Sequence, residues 1–179
     1  SEMCIRDSYK YFQELFSMKN FNKYKRFFAF GCSMTSYGWP TWADIIAQEI
    51  PAYYNYAQSG GGNLFIACQV TEANLRHKFN ENDLVMIMWS SVAREDRYLK
   101  CDWLTPGNIY TQGFYDDKFV KKFSDDLGYL LRDINLITLT KKMLDGLDSD
   151  YHMLNMSPLT IQVSDPTSIR KLELIRDTY

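Results

Sequence analysis

Apolar positions in this chain change their spacing from segment to segment, and the changes mark out an alternation of strands and helices. Arg26 to Gly31 reads Arg-Phe-Phe-Ala-Phe-Gly, a short aromatic run closed by glycine, and predicts a buried strand. After a loop from Cys32 to Pro40, Trp42, Ile45, Ile46 and Ile50 recur near helical spacing behind Thr41, a good N-cap residue. Ala52 to Ala57 predicts a second strand, limited at its start by Pro51, which runs into Gln58-Ser59-Gly60-Gly61-Gly62-Asn63. The three glycines mark a tight turn. Ile66, Val70 and Ala73 predict a helix from Leu64 to about Phe79, ended by the polar break Asn80 to Asp83. Leu84 to Trp89, Leu-Val-Met-Ile-Met-Trp, is the strongest strand signal. Its unbroken apolar character suits a strand covered on both faces, as parallel sheets require.

The second half is less regular. Ser90 to about Tyr115 carries Pro106-Gly107-Asn108 without a clear period and predicts a long functional or capping loop. Within Asp116 to Leu147, a stripe of Phe119, Phe123, Leu127, Leu130, Leu131, Ile134 and Ile137 predicts one long helix or two joined ones. Tyr151 to Met156 is a fourth strand candidate, and Asp165 to Arg176 a last helix with Asp165 before Pro166 at its start. Strands alternating with helices imply an α/β fold built on a parallel, doubly wound sheet with right-handed crossovers.

Composition narrows the function classes. A chain of 179 residues, 46% hydrophobic and 23% charged, is the size of one domain with a substantial core. The net charge of −2 and the scattered cations provide no basic stripe for phosphates, which argues against nucleic acid as a partner. No apolar run approaches the roughly 20 residues that span a bilayer, so a cytoplasmic protein without membrane partners is expected. Cysteines at 4, 32, 68 and 101 lack metal-site spacing, which predicts free thiols and no metal or cofactor.

Ser1-Glu2-Met3-Cys4-Ile5-Arg6-Asp7 reads as translated sequencing adapter, of the kind met in proteins called from metagenomic assemblies. Residues 1–17 are accordingly expected to be a leader foreign to the fold, with a natural start at Met18 and one incomplete domain over 18–179.

In an open parallel sheet, ligands collect outside the carboxyl ends of the strands. Three segments fall there: Gly31-Cys32-Ser33, Gly60-Gly61-Gly62-Asn63 and Ser90-Ser91. Phe30-Gly31-Cys32-Ser33-Met34-Thr35 resembles the Gly-Asp-Ser nucleophile block of SGNH/GDSL-type hydrolases, with cysteine in place of aspartate. Asn55-Tyr56-Ala57-Gln58-Ser59-Gly60 is similar to the second block of that family. The resemblance implies a three-layer, flavodoxin-like α/β fold and a serine esterase needing no cofactor. Ser33 would be the nucleophile, with Ser33, Gly60 and Ser91 as oxyanion donors and a small-molecule or carbohydrate ester as substrate. The third block falls on Trp89-Ser90-Ser91-Val92, where serine replaces the expected asparagine; Ser90 is one residue of register away, and Asn63 is a further donor candidate. Trp39, Trp89 and Trp103 are candidates to stack on sugar rings, and Arg94 in Arg94-Glu95-Asp96-Arg97 to hold a polar substrate, although a solvated salt-bridged run is the plainer expectation.

The general base is the conspicuous departure. An unassisted serine hydroxyl is a weak nucleophile at neutral pH. His77 falls within a helix beside Arg76 and Lys78 and reads as a solvated residue; His152 follows Ser149 and reads as a packed or edge-strand residue. The family's Asp-x-x-His element, with a last strand and helix, is therefore expected beyond Tyr179. The alternative is a non-catalytic small-molecule or glycan-binding domain with a degenerate site. Neither nucleotide-binding glycine motif is present, which places phosphate binding last.

Overall fold

Both central strands of the sheet are apolar on both faces, and this decides the architecture. A computed structural model describes residues 21–111, 113–159, 161 and 165–178; the expected leader and start at Met18 lie outside them. The strands are β1 (Arg26–Phe30), β2 (Ala52–Asn55), β3 (Asp83–Trp89), β4 (Arg97–Leu99), β5 (Asp102–Leu104) and β6 (Asp150–Asn155). The helices are α1 (Trp42–Ala47), α2 (Asn63–His77), α3 (Asp117–Phe123), α4 (Asp126–Asp145) and α5 (Pro166–Thr178). Four strands form one parallel sheet in the order β2-β1-β3-β6.

Period-two alternation divides the core. Phe28 and Phe30 of β1 pack with Val85, Ile87 and Trp89 of β3 beneath α2 and α4. On the opposite face Phe27 and Ala29 join Leu84, Met86 and Met88 under Trp42, Ala43 and Ile46 of α1. The fold is thus α/β with helices on both faces of a parallel sheet. Removing each large side chain from water contributes roughly 1.5–3 kcal/mol. A half-buried ion pair closes the amino edge: Arg26 Nε and Nη2 each lie 2.6 Å from an oxygen of the buried Asp83 carboxylate.

Capping chemistry sets several helix boundaries. Thr41 caps α1 in a reciprocal box with Asp44, whose carboxylate accepts the Thr41 N–H at 2.7 Å. The long apolar stripe resolves into two helices because Asp125 accepts the Leu127 and Gly128 N–H groups and starts α4 afresh, while Ser124 is extended. Asp165 accepts the Ser168 N–H at 2.9 Å ahead of Pro166, the first residue of α5.

The expected loop between Ser90 and Tyr115 is not wholly irregular. It contains an antiparallel hairpin, β4–β5, pairing Tyr98 with Trp103. Strands of three residues are too short for a period to register, and the turn carries Lys100 and Cys101 at φ +51° and +65° where glycine or asparagine is usual.

Candidate active site at the strand ends

The chain runs from β1 outward to β2, then crosses back over β1 to β3, so its direction reverses at β1. Such a switch point opens a crevice between neighbouring loops. Ser33, three residues past β1, lies at that end of the sheet and is half-exposed.

Backbone bonds extend the sheet past the strand ends and hold the loops together. Tyr56 N–H donates to Ala29 O at 2.8 Å and Gln58 N–H to Gly31 O at 3.3 Å, which draws the glycine turn alongside the Ser33 loop. Met156 N–H donates to Trp89 O at 2.9 Å on the β6 side. A Cβ on Gly31 would lie 2.1 Å from Thr35 Oγ1 and 3.2 Å from Met88 O, so only glycine lets β1 turn here. Gly60 has φ +79°, and a Cβ on it would meet Thr105 O at 2.0 Å. Cys32, at the aspartate position of the resembled block, is buried with Sγ 3.7 Å from Met156 Sδ.

The glycine turn leaves α2 without a side chain at its N-cap, Gly62. Unpaired N–H groups there need an acceptor. Asp96 supplies it, taking Gly62 N–H at 2.8 Å and Phe65 N–H at 3.0 Å while only 3% exposed. The Arg94–Arg97 run is therefore only in part a solvated, salt-bridged face: Arg97 is exposed and pairs with Glu95 at 3.0 Å, while Asp96 is buried. Burial holds the Asp96 carboxyl above its ordinary range, opposed by those two N–H groups and by Arg132 and Arg94. Burial likewise raises Asp133, opposed by Arg132 and Asn63.

Several expected ligand contacts prove internal. Asn63 is fully buried; its carboxamide accepts Ser90 N–H at 2.8 Å and donates to Ser90 O and to Asp133 Oδ2 at 3.2 and 2.9 Å. Ser90 is likewise fully buried, and Trp89 packs in the core at 1% exposure, so neither reaches a ligand. Arg94 donates to Gly61 O at 3.0 Å and to Ser91 Oγ at 3.3 Å, tying the glycine turn to the β3 exit. Ser91 is half-exposed and lines a cavity of about 320 Å³ with Asn108, Tyr110, Asp126 and Ser157. Trp39 is 65% exposed beside Tyr37, on the loop that follows Ser33.

Neither histidine is at this edge. His77 is not a solvated helix residue: it packs among Phe28, Tyr54 and Tyr56 and shares a hydrogen bond of 2.7 Å with Tyr56 Oη. Burial and the charges of Arg26 and Arg76 push its pKa below 6.5. His152 lies within the edge strand β6, in register with Met86.

Sequence reasoning missed Asp96 and Asp133 as organisers of the site. The usable signal for Asp96 was a helix start made of glycines, which has no local side chain to cap it. Among the described residues no group of three His, Cys, Asp or Glu side chains gathers as a metal site, and no helix is long and apolar enough to cross a membrane. Cys32, Cys68 and Cys101 are free. Comparison with protein-family models, curated proteins and solved structures returns no match.

Proposed function

We propose that this chain carries the nucleophile and oxyanion portion of a serine esterase, with Ser33 attacking an acyl or acetyl ester. What supports it most is that a half-exposed serine, the Gly60 turn and Ser91 each follow the carboxyl end of a strand in one parallel sheet, with backbone and Arg94 hydrogen bonds linking the three loops. Ser33 Oγ adds to the ester carbonyl, the alcohol departs, and water releases the acyl group. Charge on the carbonyl oxygen meets the N–H groups of Ser33 and Gly60. Ser91 Oγ accepts from Arg94 Nε, which leaves its own O–H to donate as the third partner. Losing one such donor costs roughly 3–4 kcal/mol of transition-state stabilisation.

The Ser33 proton needs a base. His77 is engaged with Tyr56 and His152 sits mid-strand, so the reading calls for a histidine from outside residues 1–179. A fluorophosphonate probe applied to the chain joined to its downstream coding sequence tests this. Labelling that exceeds a Ser33→Ala variant supports the esterase; equal labelling overturns it. The 179-residue chain alone is expected to turn over esters far more slowly than the extended one.

A binding domain without catalysis is the second reading, favoured by Cys32 and Ser91 standing where the resembled blocks have aspartate and asparagine. A downstream sequence without Asp-x-x-His supports it.

A further inference from the structure

The β4–β5 hairpin stands against the exit of β2 and the flank of α2 and leaves an open cleft of about 360 Å³. Volumes of this order suit a small ligand. Tyr56, Gln58, Gln69, Glu72, Tyr98 and Trp103 line it. Trp103 meets Phe65 and Tyr98 edge-on, each at 5.5 Å between ring centroids, and its carbonyl accepts Gln58 Nε2 at 3.3 Å. The aromatic wall is thus held in place from two sides, although Tyr98 is 61% exposed.

The chemistry of this lining selects among ligands. Rigid rings offer flat apolar faces at little entropic cost, carboxamides both donate to and accept from hydroxyls, and carboxylates accept from them. Neither lysine nor arginine lines the cleft, which leaves a phosphate or a polyuronate without a counter-charge. Of the two carboxylates on the lining, Glu72 is paired with Arg76 at 2.7 Å and Asp102 accepts the Trp103 N–H at 2.7 Å, so an organic cation is the rival that the titration has to separate from a saccharide. The polar side chains make the cleft a poor fit for a lipid chain. Apolar ring faces edged with hydroxyls are the surface of a neutral saccharide.

We infer that the cleft between the β4–β5 hairpin and α2 binds a neutral oligosaccharide, with Trp103 and Tyr98 stacking on the sugar and Gln58, Gln69 and Glu72 bonding its hydroxyls. The Gln58 backbone N–H also donates to Gly31 O, two residues from Ser33, which sets the cleft beside the nucleophile loop. As the alcohol side of an ester substrate, this site rests on the esterase reading; as a saccharide site it stands without it.

The experiment uses the Ser33→Ala protein, so that binding is read without hydrolysis. Tryptophan fluorescence and calorimetry follow titration with cellotetraose, xylotetraose, mannotetraose, chitotetraose, tetragalacturonate and tetramethylammonium. At least one neutral tetraose is expected to saturate the protein, with affinity falling at least about tenfold in Trp103→Ala and in Gln69→Ala but not in Trp39→Ala. Tyr98→Ala, at an exposed ring, gives the same loss if Trp103→Ala fails to fold. The inference is overturned if no neutral tetraose saturates by about 10 mM, if only tetragalacturonate or tetramethylammonium binds, or if binding survives loss of the rings. Saccharide binding in a protein whose Ser33 resists fluorophosphonate removes the esterase alone.

Discussion

Asn63 clasps the Ser90 backbone from both sides, accepting its N–H at 2.8 Å and donating to its carbonyl at 3.2 Å. The first residue of α2 is thereby locked to the residue that follows β3. The same carboxamide reaches Asp133 on α4, so three elements meet at one buried side chain.

Replacing Asn63 by alanine leaves the Ser90 backbone and a buried carboxylate without this partner, an expected loss of about 2–4 kcal/mol in unfolding free energy. Urea denaturation measures it. Asn63→Asp sets two carboxylates together and is expected to be worse; stability unchanged in both would remove Asn63 from the framework.

Asp96→Ala takes the acceptor from Gly62 and Phe65 at the start of α2 and is expected to cost about 2–4 kcal/mol. Asp96→Asn keeps one acceptor oxygen and should recover part of that loss. Hydrogen exchange at Gly62 and Phe65 reads the cap directly, and unchanged protection in Asp96→Ala would refute the assignment.

Gly60→Ala meets two obstacles, a left-handed φ of +79° and the Thr105 carbonyl 2.0 Å from the new Cβ. Together they predict about 2–4 kcal/mol of destabilisation. Gly38→Ala, with open space around its Cβ, is the control and should change melting by little. Equal melting temperatures for the two variants would contradict this reading of the turn.

His77 predicts an acid-sensitive stability. Its folded-state pKa lies below 6.5, so the unfolded chain takes up the proton first and stability falls as pH drops through that window. Asp83 beside it opposes the shift, while Arg26 and Arg76 reinforce it. Thermal melting from pH 7.5 down to about pH 5 should fall more steeply for the native chain than for His77→Gln. Parallel slopes would assign the sensitivity elsewhere. Asp96 and Asp133 act oppositely: raised by burial, they take up protons first in the folded state, and their contribution falls as pH rises above 3.8.

Much of the scaffold was legible because the information was local. An aromatic run closed by Gly31, an unbroken apolar run from Leu84 to Trp89 and helical spacing after Thr41 each report on a face that must be buried. Their alternation implies a parallel sheet, and the position of Ser33 after β1 follows from that alone. The hairpin was not legible, since three-residue strands carry no measurable period and its Lys100-Cys101 turn lacks the glycine that signals one.

Sequence by itself therefore determined the four strands of the sheet, the helices between them and the placement of Ser33, the glycine turn and Ser91 just past strand ends. Tertiary structure alone decided which polar groups satisfy one another. Asp96 caps a helix whose N-cap, Gly62, lies 34 residues before it, and Asn63 turns inward to Ser90 and Asp133. A buried donor donates to whichever acceptor the sheet order brings within about 3 Å, and sheet order is a property of the whole chain. That is why Asn63, Trp89 and Ser90 read as ligand contacts in sequence and are framework in the fold, while Trp103 comes to wall a cleft.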